Sequence, residues 1–217
     1  MHKTRVMCNN LGRERCFAIG GETQELVKEC VYLEQAVTAE PNHESERTRR
    51  LRMGGSTFGK HSQTMNCSLP LSLKRKVYNS CIIPVLAYGA ETWRLTKRVQ
   101  LKLRTTQRAM ERKMIGVTLR DRKRAEWVRE QTGVKDIIVE IKKKKWIWAG
   151  HVARRQDNRW SLRVTDWIPR DGKRVRGRQK IRWVDEIKKF AGITWQQKAQ
   201  DRVDWRNMGE AFALQWA

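Results

Sequence analysis

All ten tryptophans lie at or after Trp93, and the excess of positive charge begins near residue 44. This double asymmetry constrains the fold more than any motif does. Residues 1–43 are nearly charge-balanced and hold no indole to build a core around, while the chain as a whole carries +24 at pH 7 from 47 Lys and Arg against 23 Asp and Glu. Like charge at that density expands a free chain. Folding after residue 44 therefore depends on burying aromatic and aliphatic side chains. With 39% hydrophobic residues and a mean hydropathy of −0.75, the core available is modest. Disordered basic tails are poor in aromatics, so ten tryptophans predict a folded second part.

Local patterns divide the chain the same way. Arg15 to Ile19 reads as a strand ending at Gly20-Gly21, a hairpin turn, and Leu26 to Val37 resumes with Val27, Val31, Tyr32 and Leu33. Two strands do not stand alone in water, so the hairpin needs partners. From residue 44 helices dominate. Glu44 to Arg52 suits a helix that Gly54-Gly55 is expected to break, and Pro70 opens a helix through Leu73, Val77, Cys81 and Ile82 that Pro84 closes or kinks. Thr96 is an N-cap for a helix carrying Val99, Leu103, Met110 and Met114, ended by Gly116. A long helix from about Asp136 presents Ile137, Ile141, Trp148 and Val152, and Thr194-Trp195-Gln196-Gln197 reads as a capping box. The fold class is mainly α after a short N-terminal β-hairpin.

Several function classes are disfavoured. No apolar run approaches the ~18 residues that suggest a membrane span, and Met1 to Met7 lacks the apolar stretch of a secretory signal. A nuclear or cytoplasmic setting is expected. Cys8, Cys16, Cys30, Cys67 and Cys81 are odd in number and lack zinc spacing, which suggests free, mostly buried thiols in a reducing compartment. Phosphate-cradling and nucleophile-elbow motifs are absent. Asp185-Glu186 is the sole pair of adjacent Asp residues or Asp and Glu, and it reads as the solvated face of a helix. Neither metal nor cofactor is expected.

The positive signal is cations interleaved with aromatics. Lys142, Lys143, Lys144 and Lys145 run into Trp146-Ile147-Trp148; Arg154 and Arg155 precede Arg159 and Trp160; Arg170, Arg174, Arg176 and Arg178 run into Arg182 and Trp183. Lysine and arginine neutralise phosphates, and an indole stacks on an unpaired base. His151 is read as structural or phosphate-facing. Trp148, Trp167, Trp205 and Trp216 are expected in the core, and the four lysines also form a weak nuclear-import candidate. These residues predict a basic, mainly helical nucleic-acid binder.

Ordered segments then resemble the C-terminal part of reverse transcriptases of LINE-type (non-LTR) retrotransposons, of the RTE/BovB-like group. Lys3-Thr4-Arg5-Val6-Met7 resembles the stretch after the catalytic aspartates, and Tyr32-Leu33-Glu34 the Tyr-Leu-Gly primer-grip turn. Tyr88-Gly89-Ala90-Glu91-Thr92-Trp93 is similar to the family's Tyr-Gly-x-Glu-x-Trp segment. Trp148 to Arg154, Arg159-Trp160, Trp167 to Arg170, Gly177-Arg178, Arg182 to Glu186, Ala199 to Arg202 and Trp205-Arg206 follow in the family's order. The resemblance implies a palm-remnant hairpin at 1–43 with a primer-grip-like turn, a helical thumb at 44–116 and a Trp/Arg-rich helical domain at 117–217. It implies RNA, RNA–DNA hybrid or target DNA as partner, within a ribonucleoprotein. Two departures bear on activity. No Asp-Asp pair occurs in the 217 residues, and Glu34 stands where the turn has glycine. A nucleic-acid-binding fragment without polymerase activity of its own is expected, with a domesticated RNA- or DNA-binding adaptor as the alternative.

Overall fold

The computed structural model describes residues 4–8, 18–39, 44–157, 160–166, 177 and 181–215. The chain divides into two compact units, Met1–Met53 and Gly54–Ala217.

In the first unit, β1 (Arg5–Val6) pairs in parallel with β4 (Glu25–Leu26), and β2 (Ala18–Ile19) pairs antiparallel with β3 (Glu22–Thr23) across Gly20-Gly21. Both glycines have positive φ, 62° and 87°, as a two-residue hairpin turn demands. The longer hairpin joins β5 (Glu29–Tyr32) to β6 (Gln35–Thr38), with Tyr32 opposite Gln35 and Glu29 opposite Thr38. α1 (Glu44–Lys60) follows; its Glu46 carboxylate accepts the Ala36 N–H at 2.6 Å. Val31, Tyr32 and Leu33 are exposed.

α1 does not break at Gly54-Gly55. A Cβ on Gly54 would lie 2.2 Å from Leu86 Cδ2, whereas one on Gly55 would meet nothing within 4 Å. Gly54 therefore permits a close helix contact instead of ending a helix.

The second unit continues with α2 (Ser62–Asn66), α3 (Leu71–Val77), a π-helical turn (Tyr78–Ile82) and α4 (Ile83–Leu86). Pro70, expected in the first turn, stands just before it at the N-cap position of α3 and makes no side-chain cap bond. Pro84 has no N–H to return to the preceding turn, and the chain widens into the π turn just before it. After a short 3₁₀ turn (Ala90–Thr92) comes α5 (Lys97–Met114), whose Thr96 side chain accepts the Val99 N–H and which gives way to Gly116 at φ 70°. Then follow α6 (Ala125–Thr132), α7 (Ile137–Ala153), α8 (Trp160–Asp166), α9 (Asp185–Ala191), α10 (Trp195–Lys198) and α11 (Arg202–Leu214). Asp136 caps α7 by accepting from Ile138 and Val139 N–H at 2.8 and 3.2 Å. The Thr194 capping box does not form: its side chain makes no cap hydrogen bond.

The protein is mainly α with a small N-terminal β region. α3 and α5 bond to the segment that follows α5. Gln107 of α5, 1% exposed, gives its amide N–H to Lys135 C=O and takes Ile137 N–H on its oxygen. Arg75 reaches Thr132 C=O at 2.7 Å, and Lys74 reaches Met114 C=O. Trp146, Ile187, Trp195, Trp205 and Phe212 form the core shared by α7, α9, α10 and α11. Cys8, Cys30 and Cys81 are half-buried and Cys67 is exposed, all of them free; none of these four is fully buried, contrary to expectation.

Candidate nucleic-acid interface

α7 sorts the four lysines by helical period. Residues three apart share a face, so Lys142 and Lys145 turn inward, 1% and 0% exposed, while Lys143 is half-buried and Lys144 exposed. A buried ammonium requires a counter-charge. Lys145 meets Glu186 at 2.8 Å, a carboxylate delivered by the first turn of α9. Burial lowers the pKa of both lysines, to about 8 for Lys142, against the opposing pull of Glu186. Two of the predicted phosphate ligands are therefore interior groups, and the run is not presented as an import signal. The pairing also corrects the reading of Glu186 as part of a solvated face, while Asp185 is exposed as that reading had it. Glu186 neutralises a core lysine, and Asp185 accepts the Arg182 N–H at 2.6 Å.

The remaining two lysines face outward with partners of their own. Lys143 approaches Glu210 at 3.2 Å, and Lys144 donates to Ala87 C=O at 3.0 Å.

The tryptophans divide too. Trp146 and Trp205 are core residues, stacked at 3.8 Å between centroids. Trp205 was expected there; Trp146 was grouped with the cation run. Trp148 is half-buried beneath the Arg155 guanidinium, 5.2 Å from its ring centroid. Trp183 is also tied to the fold: its indole N–H donates to Glu91 C=O at 2.7 Å, and Lys145 Nζ stands 5.4 Å from its ring. That leaves it poorly placed to stack on a base. Trp160, by contrast, is 73% exposed with Arg163 5.6 Å from its ring centroid.

His151 is exposed and Arg154 half-buried near the C-terminal end of α7, where Arg155 also reaches Ser161 Oγ at 3.3 Å. Arg182 is half-buried. Arg159, Arg170, Arg174, Arg176 and Arg178, with Trp167 and Trp216, lie outside the described residues. In the first unit, Tyr32 and Leu33 are exposed, and Leu33 and Glu34 take φ of 46° and 61°. Arg49 holds that turn by donating to Glu34 C=O at 2.9 Å. Two cations absent from the predicted site, Arg202 and Arg206, stand on α11 beside α7. Their four-residue spacing after the Asp201 cap was the available signal.

Among the described residues no three His, Cys, Asp or Glu side chains gather as a metal site. No described helix is long and apolar enough to cross a membrane.

Against known proteins, the chain is 32% identical over 220 residues to F52C9.6 of Caenorhabditis elegans, described as an uncharacterized transposon-derived protein; the match covers 94% of this chain and 79% of the relative. The chain belongs to this transposon-derived family. No protein-family model and no solved structure matches.

Proposed function

We propose that this transposon-derived protein binds nucleic acid with residues 54–217 in the manner of the thumb and C-terminal region of a LINE-type reverse transcriptase. The observation that carries the reading is the division of labour on α7. Lys142 and Lys145 are buried in the core, Lys145 paired with Glu186, while His151, Arg154 and Arg155, with Trp160 on α8, remain toward the surface of the same unit. Such an arrangement offers phosphates positive charge and an unpaired base an indole. The order of the resembling segments supplies the reverse-transcriptase part of the reading. The sequence holds no Asp-Asp pair to place two metal ions for nucleotidyl transfer, so binding is its contribution.

Fluorescence anisotropy with an RNA–DNA primer–template and with single strands, across a salt series, tests this. Neutralising ~6–8 phosphates gives a log–log salt slope near −5 to −7 on duplex. The same preparation, supplied with dNTPs and Mg²⁺, is expected to incorporate no nucleotide. Salt-insensitive or absent binding refutes the proposal.

A second reading, a domesticated RNA- or DNA-binding adaptor, draws on one observation: residues 54–217 form a compact unit with its own core. It requires a cooperative thermal transition of the purified chain, and its absence counts against the adaptor.

A further inference from the structure

Lys143, Ile147, His151 and Arg154 recur along α7 at helical spacing and share one stripe. α11 runs beside that stripe and contributes Arg202, Trp205, Arg206 and Glu210. Between the two helices lies a cavity of about 940 Å³. Trp146 and Trp205, almost wholly buried, supply its floor, and Ile147, 55% exposed, its apolar wall.

The charges around this cleft are unbalanced. Lys143, Arg154, Arg202 and Arg206 face one carboxylate, Glu210, which Lys143 engages. Arg154 is fixed by donating to Ala199 C=O at 2.6 Å, a partner that orients the guanidinium without neutralising it. Burial, and then the neighbouring Arg202 guanidinium, push the Arg154 pKa down. The nearby Asp201 carboxylate is engaged by the N–H groups of Val203 and Asp204. Neither Arg202 nor Arg206 has an ion-pair partner among the described residues.

Arginines of this kind bind phosphate through paired N–H donors. Arg202 and Arg206 lie one turn apart, about 6 Å along the helix. Ile147 stands exposed beside them, and an apolar side chain offers contact to the sugar or base of an unpaired strand, whereas a duplex keeps its bases stacked within. We propose that the α7/α11 cleft seats the phosphodiester backbone of an unpaired RNA or DNA strand, with Arg202 and Arg206 on neighbouring phosphates, Arg154 and His151 flanking them and Ile147 against a sugar or base. The proposal rests on the nucleic-acid reading above and assigns it a place and a strandedness.

The test uses the full chain with fluorescein-labelled single-stranded RNA, single-stranded DNA and a duplex of equal length. Arg202→Gln with Arg206→Gln is expected to flatten the single-strand salt slope by about 1.4 units and to leave the duplex slope nearly unchanged. Ile147→Glu, a surface change on the cleft wall, is expected to weaken single-strand binding as well. Thermal unfolding confirms that each variant folds. A charge-matched control, Lys97→Gln with Arg98→Gln on α5, separates a seat from bulk charge. Equal losses in the control, or equal losses on duplex, overturn the proposal. Failure of the broader reading looks different: the unsubstituted protein itself shows no salt-sensitive binding. Unsubstituted binding that survives both cleft variants sinks the cleft alone.

Discussion

Trp146 and Trp205 each donate their indole N–H to the other's backbone carbonyl, at 2.6 and 2.9 Å, with rings stacked 9° from parallel. This reciprocal lock joins α7 to α11 and works because a glycine stands opposite each ring. A Cβ on Gly150 would lie 2.5 Å from Trp205 Nε1, and one on Gly209 would lie 2.9 Å from Trp146 Cδ1.

Gly150→Ala is therefore expected to destabilise. Alanine gains ~1 kcal/mol of helix propensity over glycine, but overpacking a closed core costs ~1–3 kcal/mol, and the hydrogen-bonded indole has little room to yield. Urea unfolding should show a lower midpoint. A higher one would mean that the ring shifts freely and the lock is loose.

Gly54 and Gly55 give a paired contrast on adjacent residues of α1. Gly54→Ala drives a methyl into Leu86, 1% exposed, and is expected to lower stability; Gly55→Ala meets open space and should raise it by ~0.5–1 kcal/mol. Thermal melts of the two variants check this. Equal shifts in the same direction would show that the Leu86 contact does not govern the helix here.

How legible was this in the sequence? The Thr96 cap was, because it acts on an N–H group three residues away, whereas the Thr194 capping box, expected from a similarly local pattern, does not form. The glycine pair was misread because a glycine that breaks a helix and one that admits a neighbour look the same until the neighbour is known. The lysine run was misread for a related reason. Consecutive lysines suggest one charged surface, yet the helical period sends Lys142 and Lys145 inward, and the carboxylate that makes this tolerable lies 41 residues away on α9. Trp183 failed similarly, since its partner Glu91 is 92 residues distant. Arg202 and Arg206 gain meaning only beside α7.

The buried lysines set a pH dependence. Burial lowers the folded pKa of Lys142 to about 8 and that of Lys145 in the same direction. From about pH 8 toward the ordinary lysine value of ~10.4 the unfolded chain thus holds more protons than the folded one. Stability contributed by these groups rises with pH across that window. Lys142→Met, which keeps the stem and removes the charge, is expected to flatten the rise in urea midpoint between wild type and variant. An unchanged difference across the window would show that Lys142 titrates as a solvated lysine.

Trp160 and Trp183 should separate binding from folding. Trp160→Ala is expected to leave the melting temperature nearly unchanged and to weaken single-strand binding by ~1–3 kcal/mol, the worth of one stacked base. Trp183→Ala removes the bond to Glu91 C=O and the ring beside Lys145, so its main effect is a lower melting temperature. Anisotropy and thermal unfolding on the same samples decide. If Trp160→Ala melts lower and binds normally, its indole belongs to the fold.

The β5–β6 turn poses the last contrast. Leu33 and Glu34 both occupy the left-handed region, which suits the twist of a two-residue hairpin turn but costs a side-chain-bearing residue ~1–2 kcal/mol. Glu34 recovers part of that through Arg49, whose Nη2 lies 3.4 Å from a carboxylate that is 65% exposed. An ion pair so exposed contributes ~0–1 kcal/mol. The second Arg49 bond goes to the Glu34 carbonyl and survives any side-chain change. Glu34→Gly is therefore expected to stabilise the hairpin, since relief of the backbone outweighs the ion pair. Glu34→Ala keeps the strain, loses the pair and should destabilise it. Amide hydrogen exchange at Tyr32 and Gln35, which pair across the turn, reads both: slower in the glycine variant and faster in the alanine variant. Faster exchange in both would mean that the Arg49–Glu34 pair, and not the backbone, holds the turn.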